Sequence, residues 1–274
     1  MTFHQGVYAF ILMIILPGCA VAAYSIPGGS NGIELESTRV IYPEKAKNGV
    51  AFTVTNNTST VYLLQSRILP RMLPALGSPA SEQQKAGAIV VDTTSSDTRH
   101  ANHSVSLAPF IVLPPLESLT PGAGITLRIR LTKNALPADR ESVFILALKA
   151  IPQQSSVEMS INQASGQMVL ALQNNLKLFY RPEGLPLISS DERAKQLKFS
   201  RQGKTLTINN PTPYYLTLSN VYADTQLLSL GNRQMIAPFS SESYEIAESH
   251  FKTVRWQLID DNGIKGAIQT QNQG

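Results

Sequence analysis

The sequence predicts an all-β fold made of two β-sandwich domains, and three observations carry that reading. From Gly32 onward, short apolar runs alternate with turn residues. No long segment shows the 3.6-residue period of a helix. A run rich in proline and glycine, Arg181-Pro182-Glu183-Gly184-Leu185-Pro186, separates two strand-rich regions. At 274 residues the chain has length for two domains of roughly 100–150 residues each. With 43% hydrophobic and 15% charged residues, it can fill real cores and carries too little charge for disorder.

The chain opens on a targeting segment. Val7 to Leu16 is an apolar run of signal-peptide length, too short to span a bilayer core of roughly 30 Å as a helix. Pro17-Gly18 breaks it, and Ala20-Val21-Ala22-Ala23 supplies the small residues of a cleavage site, so residues 1–23 read as a signal peptide. Its charged n-region is thin, since the first Arg is Arg39. Cys19 is the sole cysteine, so cleavage near Ala22 or Ala23 leaves a mature chain without an internal disulfide. Leu16-Pro17-Gly18-Cys19 also has the outline of a lipobox. A soluble secreted product is the preferred reading and lipidation at Cys19 the alternative.

The strands follow in order. Val50 to Thr55 is a β-rich run closed by Asn56-Asn57, and Val61 to Gln65 resumes after that turn. The stretch from Leu69 to Leu107 holds Pro70, Pro74 and Pro79 and a long polar run; it reads as an insertion over about 70–107, with Ala88 to Val91 its strand candidate. Ile125 to Leu131 alternates like a half-exposed antiparallel strand, and Val143 to Ile151 is another. Beyond Pro182 come Leu197 to Phe199, Thr205 to Ile208, Tyr214 to Leu218, Ser243 to Ile246 and Val254 to Ile259. The domains are placed at 24–182 and 183–274, with no internal sequence repeat evident.

Met168 to Pro182, MVLALQNNLKLFYRP, is the most informative segment. Large apolar residues at even positions form one row of a strand, which a buried strand or an exposed edge strand would each explain. Strict alternation sets Lys177 on the face of Val169 and Ala171, opposite Leu172. A bulge or strong twist within Gln173 to Asn175 would bring them together, and the Ala171 side is expected to pack on the home sandwich.

Several function classes fail on inventory. A net charge of +4 without a Lys/Arg block or aromatic-interleaved basic stripe argues against nucleic acid. There is no nucleophile elbow and no glycine loop for phosphates, so neither catalysis nor nucleotide binding is indicated, and no cofactor is expected. His100 and His103, with Asp92 and Asp97, make a weak metal sketch in a Ser/Thr-rich loop; solvated loop histidines are the plainer account.

Several blocks in order resemble the PapD-like periplasmic pilus (fimbrial) chaperone family. They are Thr38-Arg39-Val40-Ile41-Tyr42-Pro43, Ala108 to Leu116 with its Pro-Pro-Leu, Leu136 to Phe144 with Lys149-Ala150-Ile151-Pro152, Lys177-Leu178-Phe179-Tyr180-Arg181-Pro182, Asn210 to Tyr215, and Ile236 to Ser241. The resemblance covers roughly residues 32 to 268. It implies two immunoglobulin-like sandwiches joined at an angle with a cleft between them, and a periplasmic chaperone for pilin subunits.

On that resemblance, Met168, Leu170 and Leu172 would be donated into the open groove of a subunit that lacks its last strand. Arg39 and Lys177 would anchor the subunit's C-terminal carboxylate, fixing the register of the pairing strand. Glu141, Arg181 and Asp261 occupy the positions of a salt bridge between the domains. Delivery to an outer-membrane usher, without nucleotide, and self-dimerisation of the free protein belong to the same expectation. The short stretch from Gln153 to Gln167 suits the pilus-type branch over the long-loop branch. The rival from another class is a secreted or lipid-anchored two-domain β-sandwich with a structural or adhesive role.

Overall fold

The computed structural model of the chain describes residues 32–71, 108–153, 170–247 and 250–272. The segment expected to be a signal peptide, with Cys19, most of the expected 70–107 insertion with His100 and His103, nearly all of the 153–167 connection, and Met168 lie outside the described residues.

The first half contributes β1 (Ile33–Leu35), β2 (Arg39–Pro43), β3 (Val50–Asn56), β4 (Tyr62–Pro70), β5 (Phe110–Leu113), β6 (Leu116–Leu119), β7 (Gly124–Leu131), β8 (Ser142–Pro152) and β9 (Leu172–Arg181). They form two facing sheets, ordered β1-β3-β7-β5 and β2-β9-β8-β4-β6. Alternation explains why they face each other. Phe52 and Val54 of β3 and Leu127 and Ile129 of β7 turn inward from one sheet. Leu64, Leu146, Leu148, Leu176, Leu178 and Tyr180 turn inward from the other. Phe110 closes this core against Tyr42 and Phe144, with ring centroids 5.2 and 5.1 Å apart.

The second half holds a short helix, α1 (Ser190–Gln196), followed by β10 (Lys198–Gln202), β11 (Thr205–Asn210), β12 (Leu216–Ala223), β13 (Gln226–Leu227), β14 (Met235–Ile236), β15 (Ser240–Glu245), β16 (Thr253–Ile259) and β17 (Gln269–Asn272). One sheet runs β10-β11-β15 and the other β13-β12-β16-β17, with β14 on β12. Between them Leu206, Ile208, Leu218, Val221, Tyr244 and Trp256 fill a separate core. The architecture is thus two immunoglobulin-like β-sandwiches.

The helix is an element the sequence reading passed over, although its start is marked. The Ser189 hydroxyl accepts from the Glu192 N–H while the Glu192 carboxylate accepts from the Ser189 N–H, a reciprocal capping box.

Both sandwiches turn a corner with the same device. Buried Asn56 donates to the Thr60 and Leu119 carbonyls and accepts from the Thr58 N–H; buried Asn210 donates to the Tyr214 and Ala237 carbonyls and accepts from the Thr212 N–H. Each asparagine satisfies backbone groups that no strand reaches. The repeat is structural, a shared Asn-x-Thr turn.

Candidate functional site

The site is built on β9. Its pairing with β8 runs without a register shift from Tyr180 opposite Ser142 to Leu172 opposite Ala150. A bulge within Gln173 to Asn175, one of the two ways to bring Lys177 and Leu172 together, is therefore absent from this ladder, and alternation is strict. Even residues Leu176, Leu178 and Tyr180 line the home core, so Leu172 points to that same side of the sheet. Beyond Leu176 the opposing sheet no longer covers this side: Leu172 is 57% exposed and Leu170, just before the strand, 69%. This corrects the expectation for Ala171. It is exposed too, and the side that packs at home is the even one.

On its far edge β9 is only partly paired. Strand β2 runs parallel to it from Arg39 opposite Lys177 to Pro43 opposite Arg181. From Leu172 to Leu176 that edge has no partner strand among the described residues. Unpaired N–H and C=O groups stand there beside a row of bare leucines, which is the arrangement that accepts another strand.

Arg39 and Lys177 stand at the inner end of the open edge, abreast on adjacent strands and both on the odd, outward face. Arg39 is 9% exposed. Its guanidinium donates to the Ile259 carbonyl at 3.3 Å and lies 5.9 Å from the centroid of the Phe179 ring, while its Nε is buried with no partner among the described residues. Burial lowers the Arg39 pKa against the opposing pull of Asp261 and Asp260. Lys177 is half-buried. Burial first, then the charges of Arg39 and Arg71, push its ammonium down to about 8. Two cations thus stand side by side and partly dry, a charge pairing that an anion would offset.

Arg71 was not anticipated from the sequence. It follows the last residue of β4, and its guanidinium donates to the Met235 sulfur at 3.7 Å across the junction with the second sandwich. Met235 packs there with Val143 and Phe179. Nothing local in a proline-rich stretch marks this residue; only the strand order brings it near Lys177.

Glu141, Arg181 and Asp261 come together at the junction of the sandwiches. Arg181 Nε donates to Glu141 at 2.7 Å, and its two terminal nitrogens grip Asp261 at 2.9 and 3.1 Å. The second Glu141 oxygen accepts from the Tyr215 N–H at 2.9 Å, and the Glu141 N–H donates to the Pro213 carbonyl. Burial pushes the Glu141 carboxyl up, and Arg181 opposes that rise. Burial also lifts Asp261, but hydrogen bonds from Arg181 and Arg193 outweigh it and hold the carboxyl below its ordinary range.

Arg193, on α1, is a fourth member that the sequence reading missed; it donates to Asp261 at 3.0 Å. Arg181 and Arg193 both lie over the Tyr214 ring, at 5.1 and 4.7 Å. The loop that presents Asp261 comes close because of Gly263, at φ +83°, where a Cβ would collide with the Thr38 hydroxyl. Leu216, Leu258, Ile259 and Tyr215 line the cleft beside Arg39 and Phe179.

Comparisons with known proteins give the family and the fold. Residues 80–186 match the pili and flagellar-assembly chaperone PapD N-terminal domain, and 192–270 match the pili assembly chaperone PapD C-terminal domain. The chain is 31% identical to the chaperone protein FimC of Escherichia coli K12 over 233 residues, 85% of this chain and 80% of that protein. It is 32% identical to the chaperone protein LpfB of Salmonella typhimurium over 246 residues, 88% of this chain and 89% of that one. Among solved structures, the Escherichia coli chaperone DraB superposes with a TM-score of 0.65 at 28% identity, covering 88% of this chain and 98% of its own. A chain of the Salmonella enterica SafA pilin–SafB chaperone complex shares the fold, with a TM-score of 0.67 at 23% identity over 88% of this chain and 96% of that one. With two sandwiches, an open edge strand and relatives of this identity and coverage, the chain belongs to the PapD-like family of pilus assembly chaperones, which are not enzymes.

Proposed function

We propose that this chaperone captures fimbrial subunits in the periplasm by lending them β9. The observation that carries the reading is the coincidence, along β9 and at its start beside β2, of an unpaired edge, exposed Leu170 and Leu172, and two cations at the inner end. A subunit strand laid along that edge would satisfy its N–H and C=O groups. The leucines, with Met168 before them, would enter the subunit's core as its missing row. Burying each could contribute on the order of 1.5–3 kcal/mol before the cost of ordering.

The edge is open only until β2 begins, so the incoming chain must end where Arg39 and Lys177 wait. Its terminal carboxylate is the anion that fits them. An anchored terminus also fixes which side chains face the groove, because a slip of one residue reverses them all. Release requires no nucleotide: the subunit leaves by exchanging β9 for a better-fitting strand, at an outer-membrane usher.

The Arg181 network would set the angle of the two domains, taken as 24–182 and 183–274, and thereby the width of the cleft. Co-expression with candidate pilins in a periplasm, followed by pull-down and mass spectrometry, tests the reading. A subunit recovered with the native protein and lost with Leu170→Glu supports it; equal recovery with both overturns it.

A further inference from the structure

The cleft holds more positive charge than a single chain-end carboxylate can use. Pro70, the last residue of β4, pairs with Phe144, and alternation turns Arg71 to the outward face that carries Lys177 and Arg39. The three cations ring an apolar floor: Arg39 lies against Phe179, Arg71 against Met235, and Phe179 packs with Met235 and Val143.

Asp260 and Asp261 pull on Arg39 through space, yet the nearby acids form no ion pair with these three cations among the described residues. Asp261 is held by Arg181 and Arg193, and Glu141 by Arg181 and the Tyr215 N–H. Glu242 acts on Arg71 through space but forms no ion pair with it among the described residues. Among the described residues, the hydrogen-bond partner of Arg71 is a thioether, a weak acceptor. One carboxylate set among three partly buried cations leaves a net repulsion that a second anionic group would relieve.

Resting on the chain-end reading above, we propose that this cleft prefers a polypeptide terminus with two carboxylates. The α-carboxylate binds Arg39 and Lys177, and an acidic side chain from the last two residues reaches toward Arg71. In an extended chain one of those two residues faces the outward side, whichever register the terminus adopts. Arg71 is then a specificity residue, selecting subunits with acidic ends.

The test uses short peptides of one alternating apolar sequence, ending in Glu-Glu or in Gln-Gln, each as free acid and as C-terminal amide. They are titrated into the intact protein at neutral pH and low salt. The free-acid Glu-Glu peptide should bind about tenfold tighter than its Gln-Gln counterpart, a gap typical of a close charge pair. Arg71→Gln, or Arg71→Met, which keeps the apolar contact with Met235, should erase that gap and preserve the preference for acid over amide. Arg71→Lys should restore most of it. Equal binding of the two free acids, or a gap that survives in Arg71→Gln and Arg71→Met, overturns the role of Arg71 while leaving the chain-end anchor standing. Loss of the acid-over-amide preference in the native protein overturns the anchor itself and this inference with it.

Discussion

Arg39 and Lys177 are register partners across the parallel pairing of β2 and β9, so two cations far apart in the chain stand abreast on one face of one sheet. The backbone ladder holds them together against their own repulsion, which is part of what lowers the Lys177 pKa. Such an arrangement costs stability in the free protein, a cost that the anion proposed to bind there would offset.

Replacing Lys177 with Ala should therefore leave the melting temperature unchanged or slightly raised, because a desolvated charge and a like-charge contact both disappear. Arg39→Ala should cost little more than its hydrogen bond to the Ile259 carbonyl, about 1.5–3 kcal/mol for a charged donor. Both variants should fail to recover pilin from a periplasmic extract. Undiminished recovery from both would remove the anchor.

The same pair makes a pH signature. The folded pKa of Lys177, about 8, lies below the ordinary 10.5, so its burden on stability is full below pH 8 and is relieved as pH climbs toward 10.5. Affinity for a free-acid peptide should move the other way, falling as pH rises through 8 and Lys177 loses its charge. Lys177→Arg should flatten that fall, since a guanidinium stays charged. Peptide titrations across this range, with thermal melts beside them, read both trends.

At the junction, Glu141→Ala should be the most damaging single change in the Arg181 network. The Glu141 side chain is 2% exposed and satisfies both Arg181 and the Tyr215 N–H. Its removal leaves the Arg181 Nε and the Tyr215 N–H without their acceptor while Asp261 still pairs the guanidinium, a loss of about 1–3 kcal/mol for each buried donor left unmet. Asp261→Asn should cost less, because that carboxylate is 33% exposed and an amide keeps one acceptor. Denaturant melts rank the two, and scattering profiles show whether the domains still hold one angle.

Much of this was legible in the chain because the relevant signals are local. Period-two runs located β3, β7, β8 and β16, and the strand around Lys177-Leu178-Phe179 showed its even row directly in sequence. The facing of β9 was not legible. Leu172 and Leu178 are equivalent in parity and differ only in whether an opposing sheet covers them, which depends on where the other strands end. Arg71 and Arg193 were missed for a related reason: each acts on residues brought near by strand order. For Arg193 the Ser189-x-x-Glu192 cap offered a usable clue to its helix, while Arg71 has no local marker at all.

That facing supplies the last expectation. Leu170 is 69% exposed, so Leu170→Glu should give a soluble protein with the native melting temperature, its new charge lying in water. The same charge would have to enter an apolar groove when a subunit binds, at a cost of several kcal/mol, and capture should be lost. Ala171 is exposed on the outward side, away from the row that would enter the subunit, so Ala171→Glu should also fold and should retain pilin. Leu178, on the same side of the sheet as Leu170 but fully covered, is the control: Leu178→Glu should unfold the first sandwich or send it to inclusion bodies. Melting temperature and pilin retention for the three variants together separate exposure from facing. A destabilised Leu170→Glu would mean that this leucine serves the home core; lost capture in a well-folded Ala171→Glu would mean that the subunit meets both sides of the strand.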